Sequence, residues 1–460
     1  MALKPPHAKV IQSVQSCLKR DKTIQRFWIA YSGGIDSHVL LHVISSQRHH
    51  FPQIHFHAVH INHALNREAD QWADHCRKMC EQLQIPFLAI DVDATAAVGQ
   101  SPEAKAREAR YQAMIKLIKP HDCLLTAHHQ DDQVETVLLQ LMRGSGPKGL
   151  AAMPQWTDFG PGLMARPLMD VRREDIRAYA VANQLQWVDD DSNLDTRFDR
   201  NYIRHEIIPR LVQRWPSLAQ TVSRSARYCA EAVALIDDAA KNLLQDINPG
   251  GEPWLPVAEL TALSDVQQRN VLRHWIHQQG FNTPSSSQLQ QLVQQVLQAA
   301  VDASPTVSWQ GCEVRRYRQR LYIMPPLQPI FMAQPVSWAL EQPLVIPGWG
   351  VLSARRDRGR GVAARLIEAG SVTIGFRQGG ESIQPKGRAH HHALKKLFQE
   401  HGVPPWLRER VPLVYLDGEL AAVEDWFIAA SYAAKADEEG VIFQWQNPPA
   451  AASAPVGDVW

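Results

Sequence analysis

Along the first two hundred residues, short apolar runs alternate with stretches whose apolar positions recur every three or four residues. The runs at 27–31, 54–61, 87–90 and 123–127 are bounded by polar or turn residues and predict strands. Between them, 38–46 reads as a helix, Trp72, Cys76, Met79, Cys80 and Leu83 mark a second by their spacing, and Val134, Val137, Leu138 and Leu141 mark another. Strand and helix in alternation predict a parallel, doubly wound α/β sheet. In such sheets ligands bind beyond the carboxyl ends of the strands, where Ser32, 60–63 and 126–132 fall. Beyond 203–211 the pattern becomes almost purely helical, as in Leu289, Leu292, Val293, Val296 and Leu297 behind the serine start Ser285-Ser286-Ser287. Prolines at 325, 326, 329, 335, 343 and 347 read as a linker into a third region. The expected organisation is an α/β domain over 1–215, a helical domain over 216–324, a linker over 325–352, a small mixed α/β domain over 353–446 and a disordered tail rich in Pro and Ala over 447–460. A chain of 460 residues at about 150 per domain agrees with three domains.

Composition narrows the setting. The chain starts Met1-Ala2-Leu3-Lys4-Pro5-Pro6 without an apolar signal core, and no apolar run of about 18 residues follows. Six cysteines without a dense pattern fit a reducing compartment, so the cytoplasm, with no membrane partner, is expected. The net charge of +1 conceals an asymmetry: 353–411 holds twelve Lys and Arg against five acids, so this segment carries +7 and the rest −6. With Trp406 inside it, this block has the footprint of a polyanion site, although a solvated basic face has the same composition.

The chemistry concentrates where strand 27–31 gives way to a helix through Ser32-Gly33-Gly34-Ile35-Asp36-Ser37. Paired glycines let the backbone turn tightly and bring its N–H groups to an anion, and the helix start adds a positive dipole end. No G-x-x-x-x-G-K-[ST] occurs, so a lysine-bearing phosphate loop is excluded. His60-Ile61-Asn62-His63 ends the second strand. Arg107 and Arg110 lie one turn apart on a predicted helix and suit phosphate oxygens or an exposed charged face alike. Thr126-Ala127-His128-His129-Gln130-Asp131-Asp132-Gln133 leads into a helix carrying Glu135. Its histidines and acids could be taken for a transition-metal site, but Mg²⁺ accompanying a bound phosphate prefers carboxylates and water, and Asp36 is placed to meet it. A glycine-rich loop, Arg143-Gly144-Ser145-Gly146, could close over the site. Asp191-Ser192-Asn193, Arg197, Asn201 and Arg204 form a polar and basic strip.

Ser32 to Ser37 resembles the SGGxDS loop of the PP-loop ATP pyrophosphatases, whose fold is adenine nucleotide alpha hydrolase-like. The motifs HxNH, EAxAREARY, TAHHxDDQxET, Arg166-Pro167-Leu168 and DSN with RN and IR, together with Leu394-Lys395-Lys396-Leu397-Phe398, Pro404-Pro405-Trp406 and Pro412-Leu413-Val414-Tyr415, are similar in order to those of the tRNA(Ile)-lysidine synthetase family. The resemblance implies a ligase that adenylates the C2 oxygen of the wobble cytidine of tRNA(Ile) with a CAU anticodon, after which free L-lysine displaces AMP. It assigns Ser32, Gly33, Gly34, Ile35, Asp36, Ser37, His60, Asn62 and His128 to ATP, with Asp36 also on Mg²⁺. Asp36, Asp132, Glu135 and Arg110 become catalytic candidates, and Arg197, Arg204, Lys395, Lys396 and Arg408 candidates for holding tRNA. A homodimer is compatible with the sequence. Two other readings are a PP-loop tRNA thiolation enzyme and a non-catalytic tRNA-binding protein. Thiolation needs reactive thiols, typically in CxxC, whereas Cys76 and Cys80 lie on an apolar helical stripe.

Overall fold

The computed structural model describes residues 6–62, 69–93, 102–188, 195–300, 303, 305–327, 335–346 and 349–446. His63, Asp191-Ser192-Asn193 and the expected tail lie outside the described residues. The chain divides into two compact units, with the boundary along the chain between Ala239 and Ala240, inside a continuous helix. Among the described residues no helix is long and apolar enough to cross a membrane.

The first unit begins with α1 (Pro6–Leu18), β1 (Arg26–Ala30), α2 (Ile35–Gln47), β2 (His55–Asn62), α3 (Ala69–Gln82), β3 (Phe87–Asp91), α4 (Pro102–Leu117), β4 (Asp122–Leu125) and α5 (Gln130–Met142). There follow α6 (Pro147–Leu150), β5 (Trp156–Phe159), β6 (Gly162–Ala165), α7 (Arg173–Ala182), α8 (Asp199–Tyr202), a π-helical turn at Ile203–Ile207, α9 (Ile208–Arg214) and α10 (Leu218–Ile247). The sheet order is β3-β2-β1-β4-β6-β5, parallel except for the β5–β6 pair. Alternation along β1 explains its burial. Phe27, Ile29 and Tyr31 enter one core with α1 and α2, while Trp28 enters the core on the opposite face with Met114, Leu124 and Phe159. Each such fully buried side chain contributes about 1.5–3 kcal/mol. Because β2 and β3 lie to one side of β1 and β4 to the other, the chain reverses direction between β1 and β4, which opens a crevice at their carboxyl ends.

The second unit departs from the expectation of almost pure helix. Helices are present: Asp265–Gln278 starts from a Ser264 capping box, and Ser285 caps Ser286–Gln291 by accepting from Gln288 N. They pack, however, against a four-stranded antiparallel sheet built from Trp254–Pro256, Thr306–Trp309, Cys312–Tyr317 and Arg320–Met324. The strands escaped detection because they are short and Cys312–Tyr317 carries Glu313, Arg315 and Arg316. Arg316 is buried, and its Nη1 donates to the carbonyls of Leu297 and Ala299, both at 2.8 Å, closing a helix C-terminus with a side chain that reads as surface. Residues 336–446 add a five-stranded and a four-stranded antiparallel sheet, the latter held by the long pairing of Gly350–Arg358 with Glu439–Gln446.

The basic block also looks different when folded. Arg356 bridges Glu439 and Glu368 (2.5 and 2.9 Å), Arg365 meets Glu438 (2.6 Å) and Arg388 meets Glu400 (2.9 Å). Two of these acids come from beyond 411, so the charge of the segment is partly neutralised in space. Arg408, expected to face tRNA, is instead half-buried at a junction. Its Nε donates to Val403 O at 2.9 Å and its Nη2 to the Tyr317 hydroxyl at 3.2 Å. Trp406 packs edge-on against Tyr317 and Tyr322 beneath the Arg315 guanidinium. Lys395 and Lys396 do stand exposed, on the helix Leu394–Glu400.

Two outcomes follow for urea denaturation of the full chain. Arg408→Ala should lower the unfolding free energy of the second unit by about 1–3 kcal/mol, whereas Lys395→Ala and Lys396→Ala should stay within about 0.5 kcal/mol of the parent. Glu424 gives a pH signature: burial pushes its carboxyl up from 4.5 to about 7, and Oε2 has no hydrogen-bond partner among the described residues. A folded pKa above the unfolded one stabilises fully below pH 4.5 and is lost as pH rises through 7, a change on the order of 3 kcal/mol. Glu424→Gln should therefore flatten the decline in stability across that window, and an unchanged slope would assign it to other groups.

Candidate active site

The crevice between β1 and β4 receives two loops. After β1, Gly33 takes a left-handed φ of +87°, and a Cβ there would lie 3.1 Å from Cys76 Sγ, so the turn requires glycine. Gly34 starts α2 with no side-chain cap, which leaves the first-turn N–H groups turned outward by helix geometry. Ser37 Oγ donates to Gly34 O at 2.9 Å, accepts from Ser32 N at 3.2 Å and lies 3.1 Å from Ser32 Oγ. The six-residue cradle is thus pre-shaped. His60 supports it from below: its Nδ1–H donates to Tyr31 O at 2.9 Å. Asn62, at the end of β2, donates to Asp70 Oδ1 at 3.2 Å.

After β4, His129 caps α5. Its backbone N–H donates to Asp132 Oδ2 at 2.9 Å, and its ring lies 3.6 Å from Asp36 Oδ2 and 3.8 Å from Asp131 Oδ2. Burial opposes a charge on this ring, but Asp132, Asp36 and Asp131 together outweigh it and raise the pKa to about 9. The imidazolium gives up the long 3.4 Å contact in which Nδ1 accepts from Asp132 N. Neighbouring His128 behaves oppositely. Desolvation, reinforced by Arg166, Arg200 and Arg107, outweighs Asp132 and pushes it down to about 3, so it is neutral and paired with Thr126 Oγ1 at 2.8 Å.

Asp132 and Glu135 lie one turn apart on α5 and face two guanidiniums. Arg200 Nε donates to Glu135 Oε2 at 2.7 Å and its Nη2 to Asp132 Oδ1 at 3.2 Å. Arg204 Nε donates to Glu135 Oε1 at 2.5 Å, and its Nη2 reaches Glu135 Oε2 at 2.9 Å. Burial would raise the Asp132 pKa, yet His129 and Arg200 hold it well below the carboxylate range. Arg204, read from the sequence as part of a polar and basic strip and as a candidate for holding tRNA, is paired inward with Glu135 and Asp132. Its partner Arg200 was missed, although its i,i+4 spacing from Arg204 is the signal that marks a shared helix face. Arg197 is exposed and, among the described residues, pairs with Asp195 at 2.7 Å. Arg110 is on the exposed side of α4, while half-buried Arg107 acts electrostatically on His128. One atom stands out: Asp36 Oδ1 is buried with no hydrogen-bond partner among the described residues.

This fold and phosphate cradle define an ATP-using enzyme of the PP-loop class, and a PP-loop domain model matches residues 6–211. A TilS substrate binding domain model matches 255–322 and a TilS substrate C-terminal domain model 372–445. The tRNA(Ile)-lysidine synthase of Coxiella burnetii is 45% identical over 92% of this chain and 93% of its own, and that of Methylococcus capsulatus 40% over 91% and 95%. The chain belongs to the tRNA(Ile)-lysidine synthase family. Among solved structures, a U34-tRNA thiolase from Methanococcus maripaludis matches 49% of this chain and 79% of its own at 17% identity and a TM-score of 0.42. A TilS C-terminal domain matches 25% and 99% at 20% identity and a TM-score of 0.21.

Removing one guanidinium from the buried cluster should be costly, because it strips compensation from Glu135, which is 2% exposed. Arg200→Ala is expected to lower the stability of the first unit by about 3 kcal/mol in urea denaturation, with Arg200→Lys restoring little, since an ammonium cannot span both carboxylates.

Proposed function

We propose that this chain is an AMP-forming ligase that joins free lysine to C2 of the wobble cytidine in tRNA(Ile) bearing a CAU anticodon, converting decoding from AUG to AUA. Family membership supports the reaction, and the observation that carries its location is the meeting of the Ser32–Ser37 cradle with Asp36, His129, Asp132 and Glu135 at the β1–β4 crevice. The uncapped N–H groups of α2 would take the pyrophosphate of ATP, and the adenylated oxygen becomes a good leaving group for attack by the lysine amine.

The residues fit Mg²⁺. Asp36 Oδ1 is an unpartnered buried carboxylate oxygen at the mouth of the cradle, so Asp36 would hold the ion, which supplies neutralisation of the pyrophosphate charge. Arg200 and Arg204 fix Asp132 and Glu135 in place, and these nearly inaccessible acids would act on the site through their charge, not by direct contact with lysine. Neutral His128, beside Arg107, would line the nucleotide side. The exposed Arg197, Lys395 and Lys396 remain to contact RNA phosphates, while Arg204 and Arg408 are committed within the fold.

The thiolation reading fits less well. Cys76 and Cys80 are buried, and burial pushes both thiols up to about 12, so neither is a thiolate near neutral pH.

Incubation with ATP, labelled lysine and tRNA(Ile) should yield lysine on the RNA with stoichiometric AMP and pyrophosphate and no sulfur donor. ADP as product, or no label on RNA, would refute the assignment. Asp36→Asn should fold normally and lose about 10²-fold or more in turnover, the scale for a site electrostatic group.

A further inference from the structure

A second concavity lies on the other face of α5. At about 100° per residue, Gln130 and Gln133 point away from Asp132 and Glu135, and they line a cavity of about 620 Å³ closed on its far side by α10. That volume falls within the roughly 300–1,000 Å³ of small-ligand pockets. Its apolar lining comes from Met153, Pro154 and Met169, and its charged lining from Arg20, Arg224, Arg227 and Asp170.

Two groups in the lining are unsatisfied. Gln130 is 7% exposed, yet its Oε1 has no hydrogen-bond partner among the described residues, and Ser223 Oγ is also buried without one. An acceptor buried without a donor is unfavourable unless a ligand supplies one. Gln133 is not such a group: its amide is satisfied in both directions by the Met153 backbone, at 2.9 Å each. The chemistry therefore has three parts: guanidiniums for phosphate oxygens, open acceptors at Gln130 and Asp170 for the N–H groups of a base, and apolar surface for its face. Together they describe a nucleotide.

The setting favours one that is part of a strand. Residues 207–230 carry four arginines and no acid, although the flanking Glu206 and Glu231 lie 3.7 and 3.8 Å from Arg210 and Arg227 in exposed pairs that a phosphate could displace. Trp215 and Tyr228 are 57% and 56% exposed among them, an interleaving of cations and aromatics suited to a nucleic-acid backbone and unstacked bases. We propose that this cavity holds an unstacked nucleotide of the RNA substrate, other than the cytidine that is modified, so that the RNA is gripped on both faces of α5. The inference rests on the tRNA reading above and adds a second point of contact to it.

The test uses the full chain, with folding of each variant checked by circular dichroism. Arg224→Ser combined with Arg227→Ser removes the phosphate ligands, and Ala230→Trp, at an exposed lining position, fills the cavity without altering charge, with Ala230→Ser as its control. Both variants should weaken tRNA(Ile) binding about tenfold or more and raise the KM for RNA. The kcat at saturating RNA and the KM for ATP should stay within about twofold. The arginine pair should also reduce the salt slope of binding by about 0.7–0.9 for each RNA phosphate that is no longer neutralised, and Ala230→Ser should bind as the parent does. Unchanged RNA affinity in Ala230→Trp would overturn the proposal and leave the arginines as a basic surface. Binding of free AMP that is abolished in the arginine pair while RNA affinity holds would also overturn it, by assigning the cavity to a mononucleotide. Failure of the parent protein to place lysine on RNA would count against the function proposed above, whereas the affinities of these variants test the cavity itself.

Discussion

Parallel pairing of β1 with β4, Phe27 against Cys123 and Ile29 against Leu125, is the constraint on which the active site depends. Trp28 Nε1 donates to Asp122 Oδ2 at 3.2 Å, and Arg26 lies 3.8 Å from the same oxygen, which ties the start of both strands to one register. With that register set, the strands end side by side, and the loops that leave them have no room to diverge. Asp36, one residue into the turn of α2, meets His129, the cap of α5, although 93 positions separate them in the chain. A slip of one residue would exchange the two faces of β1 and move every loop residue with it.

The carboxylate and guanidinium cluster above this crevice is costly to assemble. Asp132 and Glu135 are nearly inaccessible, and burying two like charges one helical turn apart is tolerable only because Arg200 and Arg204 reach them from the segment after α7. The same contacts make the site rigid. In an ATP-using enzyme, charges already fixed in position need no reorganisation when the reaction begins. The short π-helical turn at Ile203–Ile207 carries Arg204, and such turns occur often at functional sites.

In the second unit, charge that looks available is largely used internally. Arg316 closes a helix, Arg408 and Arg318 stitch residues 317–318 to 399–403, and Glu438 and Glu439 absorb arginines from 353–411. Exposed ion pairs of this sort add little stability, but they reduce the positive surface that an RNA would meet.

The alternating sheet, its strand positions and the phosphate cradle were legible in the sequence because they rest on local rules: apolar periodicity, paired glycines and a helix start beside a strand end. Ser32 to Ser37 and Asp132 with Glu135 could be picked out for the same reason, as neighbours within one turn or one helix face. What the sequence could not express was partnership across distance. That Arg204 turns inward to Glu135, that Arg200 joins it, that Arg408 locks a junction and that Arg315 and Arg316 belong to a strand each depend on which element packs nearby. A guanidinium has the same identity in water and in a buried ion pair, and only tertiary structure brings the carboxylate or carbonyl that decides between them.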